Sequence, residues 1–260
     1  MVVGLEVGKQ GRPGNVTIAP TDNMRNTRVT SGVHERELII VGAGGFSREA
    51  AEAARAAGRA GAPWRLAGFV DDAEHLAGTD IDGVPVLGRV DDVRARLDSV
   101  LVVGVGRPDN YTARLRIVEH LALAPARYAT IVHPAASFGD STIIGPGSVA
   151  LAGVVATAGV RIGAHVALMP GVVLTHDNLI GDYATLASGV KLGGGVHIGT
   201  GAYLGAGVIV RENVTIGPWA MVGMGSIVTR DVPAGELWLG TPARFHRPAP
   251  VSASVLERVS

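Results

Sequence analysis

The chain has 260 residues, 47% apolar and 18% charged, which fits one or two soluble domains. Lys plus Arg and Asp plus Glu are equal at 23, so nothing points to a nucleic-acid partner, and the absence of cysteine excludes disulfides and thiol catalysis. No apolar run reaches about 18 residues and the first residues lack the pattern of a secretory signal, so the chain reads as cytoplasmic, with no membrane partner.

Residues 1–35 are polar and aperiodic and read as a disordered leader. A small α/β domain is expected over 36–125. The run at 37–41 (ELIIV) reads as a buried strand. Gly42, Gly44 and Gly45 then make a turn, and Ser47 is placed to cap a helix running to about 57. Further strands are expected at 65–70, 84–87 and 100–105, and helices at 90–97 and 110–121. Strands alternating with helices imply a parallel sheet. A glycine turn between strand and helix lets backbone N–H groups approach a phosphate. Read from the residues alone, it is a structural tight turn or a nicotinamide site. The last is a weak match, because the dinucleotide fingerprint wants a third glycine where Ser47 stands. Asp71 and Asp72 end the second strand, either as partners of a ribose or uracil edge or as solvated charges.

From Val132 to Val228 every sixth residue is apolar, seventeen positions without an insertion. A register four residues later holds small or β-branched residues, such as Val154, Val160, Val166 and Val172, and Asn178 interrupts it with a polar side chain. Ile144, Ile162, Ile180, Ile198 and Ile216 are each followed by glycine, a period of eighteen. An α-helix repeats near 3.6 and a half-buried strand at 2, so this pattern is neither. It is a coil of three short strands, a parallel β-helix over 126–232. Residues eighteen apart are then stacked neighbours about 5 Å apart. The segment 233–260 follows, with Gly240-Thr241-Pro242-Ala243-Arg244 and a Pro-rich tail from Arg247 that reads as loose.

His133, before Pro134 at the junction, reads as structural. His165, His176 and His197 fall on outward registers of the repeat, so none is expected in the core. His176 is set apart by its neighbours. Thr175, His176 and Asp177 stack beneath Gly193, Gly194 and Gly195, which should leave a bare strip of backbone one coil above the imidazole. An exposed amide there suits an oxyanion. His suits general-base work near neutral pH, with Asp177 to orient it.

The repeat resembles the hexapeptide acyltransferases. With the glycine turn GAGGFSREAAE and the strand GFVDD, the chain resembles sugar O- and N-acetyltransferases of the sialic acid O-acetyltransferase type over about 37–245. The resemblance implies a left-handed β-helix, against the usual right-handed crossover. It implies a homotrimer, acetyl-CoA as donor, and a sugar or nucleotide-sugar acceptor held by the first domain through Gly42, Gly44, Gly45 and Asp71 or Asp72. His176-Asp177 resembles the catalytic His–acid pair, with the pantetheine arm along Gly193, Gly194 and Gly195. The Gly240 to Arg244 motif resembles the segment near the cofactor's adenine and phosphate end, where Arg244 suits phosphate. The chain departs from relatives at Phe46-Ser47, where His-Gly is frequent, at Thr175, where Glu or another polar residue precedes the pair, and at Thr185, where some carry a second histidine.

Other classes compete. A metal enzyme on this fold needs histidines that stack across coils, and spacings of eleven and twenty-one do not, so no metal is expected. A non-catalytic scaffold trimer, an acyltransferase acting on a non-sugar acceptor and a nicotinamide oxidoreductase are the remaining alternatives.

Overall fold

The computed structural model describes residues 35–257, so the expectation for the 1–35 leader lies, but for Glu35, outside the described residues. The α/β part is a three-stranded parallel sheet in the order Trp64–Val70, Arg36–Val41, Val100–Val103, with helix α1 (Gly45–Arg59) after the first strand and α2 (Ala113–Leu121) after the last. Two expectations differ in detail. The segment 84–87 meets the sheet through a single parallel bridge, Val86 to Phe69, rather than as a strand. Val84–Pro85 pairs antiparallel with Asp80–Ile81 in a two-residue hairpin. The helix expected at 90–97 is a 3₁₀ segment, Val90–Ala95, in which only Val93 is buried, and Leu97 is 72% exposed. One apolar anchor does not supply the stripe a longer α-helix needs. Ser47 makes no cap bond. It is buried inside the first turn of α1, and its Oγ donates 2.8 Å to the Gly104 carbonyl, tying the helix to the strand exit.

From Ile131–Val132 to Ile227–Val228 the chain is a left-handed parallel β-helix of about 6 turns, built of two-residue strands. Ile144, Ile162, Ile180, Ile198 and Ile216 pair in one continuous column, as the period of eighteen requires. The six-residue ladder lines the interior, where Leu168, Leu174, Leu186 and Leu204 are fully buried. Each such side chain contributes about 1.5–3 kcal/mol on burial.

The three faces have different fates. The first, carrying Ala167, Thr185 and Tyr203 outward, is covered by the α/β part. Ala50, Ala53 and Ala54 of α1 share a core with Ile131, Val149 and Leu151. The small side chains let the helix lie close to the coil. The second and third faces leave Ile209, Ile143 and Leu179 at 39–50% exposed. The described part of the tail, to Glu257, packs on the coils, against the reading from its prolines. Glu236–Gly240 adds to the first face beside Met221–Val222, and Ala243–Pro248 pairs back on it antiparallel. A short helix α3 (Ala253–Leu256) then buries Val255 against Tyr111, Trp219 and Leu237. The apolar residues Val251, Val255 and Leu256 outweigh Pro248 and Pro250 before them.

Candidate functional site

His176 lies on the turn that leads from the second face, at Val173–Leu174, to the third, at Leu179–Ile180. Its Nδ1 is 2.9 Å from Asp177 Oδ2. A carboxylate only accepts, so Nδ1 carries the proton and Nε2 keeps a free lone pair. The turn itself directs Asp177. Its φ is +60°, the left-handed position that Gly159 and Gly195 hold one coil below and above. Asp is among the few side chains that tolerate it.

The coil above meets the stacking rule. Gly195 N–H donates 2.9 Å to the His176 carbonyl, and Thr175 Oγ1 donates 2.9 Å to the Leu192 carbonyl. The strip is nevertheless not bare. A Cβ on Gly194 would overlap the Cε1 and Nε2 atoms of His176, so the imidazole itself lies across that glycine. Gly194 is buried, and Gly193 and Gly195 are half-buried. The amides also differ. Gly193 N–H is committed to the Val210 carbonyl at 2.9 Å, whereas Gly194 N–H has no acceptor among the described residues. Of the Gly193 and Gly194 amides, only that of Gly194 is free among the described residues. The His176 side chain is 66% exposed on a convex corner.

The remaining residues lie apart from this corner. Arg244 stands in the C-terminal hairpin, exposed, with Nη1 donating 2.8 Å to the Ala243 carbonyl. That hairpin is anchored to the turn between first and second faces, where Gly240 N–H donates 3.0 Å to Ser226 Oγ. In the α/β part Gly42 has φ +93°, and a side chain there would press on Val105. Gly44 and Gly45 face open space. They begin α1, a 15-residue helix with no side-chain cap and no acid in its first turn. Asp71 is already engaged: Oδ2 accepts from Ala43 N–H and Oδ1 from Ala73 N–H, both at 2.9 Å, which braces the glycine turn. Asp72 accepts from Val90 N–H at 3.1 Å and pairs with Arg89 at 3.5 Å.

His165 corrects the expectation that no histidine is in a core. Its register is outward from the coil, yet it is 5% exposed because the α/β part covers that face. Tyr183 stacks on it at 5.2 Å and Tyr128 meets it edge-on at 4.6 Å. Burial, with the Arg114 charge nearby, pushes its pKa down to about 4. His133 Nδ1 accepts from Ala135 N–H at 2.9 Å, a structural role as expected. His197 is exposed on the third face between Leu179 and Thr215.

One residue was not singled out from the sequence. Arg114 of α2 is 2% exposed and crosses from the α/β part to the coils. Nη1 donates 2.6 Å to the His165 carbonyl, Nη2 3.0 Å to Thr185 Oγ1, and Nε 3.1 Å to the Val105 carbonyl. Desolvation lowers its pKa to about 10. Thr185, where relatives can carry a second histidine, is thereby tied to α2. Phe46 lies under the same guanidinium, 5.7 Å away.

Residues 37–121 match the model of the PglD N-terminal domain. The acetyltransferase domain of PglB from Neisseria gonorrhoeae FA1090, solved with acetyl coenzyme A, is 29% identical with a TM-score of 0.73. The match covers 82% of this chain and 100% of that one. PerB from Caulobacter crescentus, solved with CoA and GDP-perosamine, is 30% identical over 80% of this chain and 96% of that one, with a TM-score of 0.70. WeeI from Acinetobacter baumannii AYE is 29% identical over 80% and 99%, with a TM-score of 0.69. No curated protein matches the chain significantly.

Proposed function

Because the chain belongs to the hexapeptide-repeat sugar acetyltransferases and is an acyltransferase that uses acetyl-CoA, we propose that it acetylates the amine of a nucleotide-linked amino sugar, with His176 as general base. The observation that carries this reading is the His176–Asp177 pair at 2.9 Å with its imidazole laid over Gly194. Asp177 holds the proton on Nδ1 and stabilises the imidazolium once it forms. Nε2 takes the proton from the amine as its nitrogen bonds to the thioester carbon. Gly194 N–H receives the oxyanion. Collapse expels the thiolate of CoA, and His176 returns the proton to it.

The acceptor's diphosphate is assigned to the N-terminus of α1, where Gly44 and Gly45 leave room and no side chain caps the free N–H groups. Arg244 is assigned to the phosphates of CoA. An exposed base on a convex corner does not exclude water by itself. The apolar residues on either side of that corner, Leu179 and Ile209, support a closed trimer in which a neighbouring copy completes each site and brings Arg244 to it. No helix among the described residues is long and apolar enough to cross a membrane, and use of acetyl-CoA is consistent with a cytoplasmic enzyme.

The test is a panel of nucleotide-activated amino sugars incubated with acetyl-CoA and read by mass. With the accepted substrate, His176→Ala should lower kcat by about 10²–10⁴-fold while acetyl-CoA affinity by calorimetry is unchanged. Turnover close to wild type in that variant refutes the base.

A further inference from the structure

Acyl transfer at this corner needs one amide N–H held firmly beside His176, and the coil interior contains the group that holds it. Asn178 sits in a register occupied by Val160 one coil before and Val196 one coil after, both fully buried. Asn178 is fully buried too. Its Nδ2 donates 2.8 Å to the Gly193 carbonyl, and its Oδ1 has no partner among the described residues. An unmatched buried oxygen is costly, and valine would avoid it, so core packing does not account for the asparagine. The amide's orientation follows from the bond, since the carbonyl needs a donor facing it.

At Gly181, Gly199 and Gly217, on the corner between third and first faces, the turn carbonyl accepts from the N–H three residues on, at 3.1–3.3 Å. At Gly145 and Gly163 of the same column it accepts from the Thr130 and Ser148 hydroxyls, which leave no buried oxygen unmatched as Asn178 does. Gly193 makes no such backbone bond, and the Asn178 side chain takes its place from inside the coil. The peptide it grips is Gly193–Gly194, which is trans. The N–H of a trans peptide leaves from the opposite edge to the C=O. With the carbonyl turned inward, the Gly194 N–H faces outward, to the surface on which the His176 ring lies. A bond accepted at the carbonyl also polarises the N–H and strengthens it as a donor.

We propose that Asn178 is a positioning residue for acyl transfer, holding and polarising the Gly193–Gly194 peptide so that Gly194 N–H meets the developing oxyanion. This rests on the acyl-transfer reading above. Asn178 moves no proton. As the C–N bond forms, the carbonyl electron pair moves to oxygen, and Asn178 fixes the donor that receives it.

Valine and threonine are nearly isosteric, and only threonine supplies a donor. Thr142 makes the same fifteen-residue bond at this corner, to the Thr157 carbonyl at 3.2 Å. Asn178→Val should therefore lower kcat about 10-fold, less than the ~10²–10³-fold of losing a donor outright. The KM for acetyl-CoA and the thermal midpoint should hold, and Asn178→Thr should recover most of the rate. A kcat for Asn178→Val within about 2-fold of wild type overturns the proposal. So does an Asn178→Thr as slow as Asn178→Val, or a loss matched by a fall in thermal midpoint and cofactor affinity. Should Asn178→Val fail to fold, Asn178→Thr against Asn178→Ala decides in the same way. His176→Ala measured alongside separates the two levels. If it is impaired while Asn178→Val is normal, only the role of Asn178 fails; if both are normal, the acyl-transfer reading fails with it.

Discussion

Gly194→Ala displaces the imidazole proposed as the base without changing its chemistry. Gly195, next in the chain, has φ +67°, but Gly194 is not in the left-handed region, so alanine adds no backbone strain there. The effect is then confined to the new Cβ. The three atoms nearest that Cβ all belong to the His176 ring. The ring is on the surface and free to swing outward, so the fold should tolerate the change. Alanine even restricts the unfolded chain, which favours the folded state by about 0.4–1 kcal/mol. To relieve the overlap Nε2 must retreat by about 1 Å, and a displacement of that size costs about 10²-fold in rate, or about 2.7 kcal/mol. A pantetheine arm along Gly193 to Gly195, as the resemblance implies, leads to another expectation, that bulk at Gly194 blocks the cofactor. The two differ in a double-mutant cycle with His176→Ala, read as kcat with saturating acetyl-CoA. If alanine acts by moving the imidazole, adding Gly194→Ala to His176→Ala costs less than about 3-fold, because the group it moves is gone. Full additivity, or a single variant with kcat near wild type, refutes the reasoning.

Two further outcomes follow from the covered first face. His165 is held near a pKa of about 4 by burial and by Arg114, whereas it titrates near about 6.5 when unfolded. As pH falls through that window the unfolded chain takes up a proton that the folded chain refuses, so stability declines, by about 3 kcal/mol in all. Thermal midpoints between pH 7 and 4 should fall more steeply for wild type than for His165→Asn, which does not titrate and tolerates the φ of +55°; parallel slopes would refute this. Truncation after Pro248 removes Val251, Val255 and Leu256 from Tyr111, Trp219 and Leu237. Loss of that burial should cost several kcal/mol and lower the thermal midpoint, and an unchanged midpoint would show the tail to be dispensable.

The β-helix was legible because each of its residues answers to one local constraint. The ladder residue points in, the glycine relieves a corner, and eighteen residues later the constraint repeats. That arithmetic put Gly194 above His176 correctly. It did not say that the ring would lie on the glycine, because rotamers are set by what is absent above as much as by what is present. Asn178 stood out as a polar residue in an apolar register, yet its partner, fifteen residues on, depends on the depth of the turn. Segments without a repeat were read less well. The 3₁₀ segment Val90–Ala95 offers one buried anchor, and composition hid the apolar spacing of the tail.

What the sequence withheld most completely was which outward register meets water. His165 and His176 are both outward by period, eleven residues apart. One is sealed under the α/β part and the other open on a corner, because the coil has three faces and the rest of the chain covers one. A signal for this did exist. Arg114, Val118 and Leu121 fall at helical spacing on α2, and a charged residue in line with apolar ones needs buried oxygens to accept from it. Those oxygens are carbonyls at Val105 and His165 and the hydroxyl of Thr185. Arg114 thus marks the seam between the α/β part and the coils, and it joins the glycine turn, through Phe46, to the coil that bears Thr185. The departures at Phe46 and Thr185 therefore meet at one residue, Phe46 lying under Arg114 and Thr185 accepting from it, while Ser47 is tied within the α/β part to Gly104. A histidine at Thr185 would have to share that space with a fully buried guanidinium, so the proposed base catalysis rests on His176 alone.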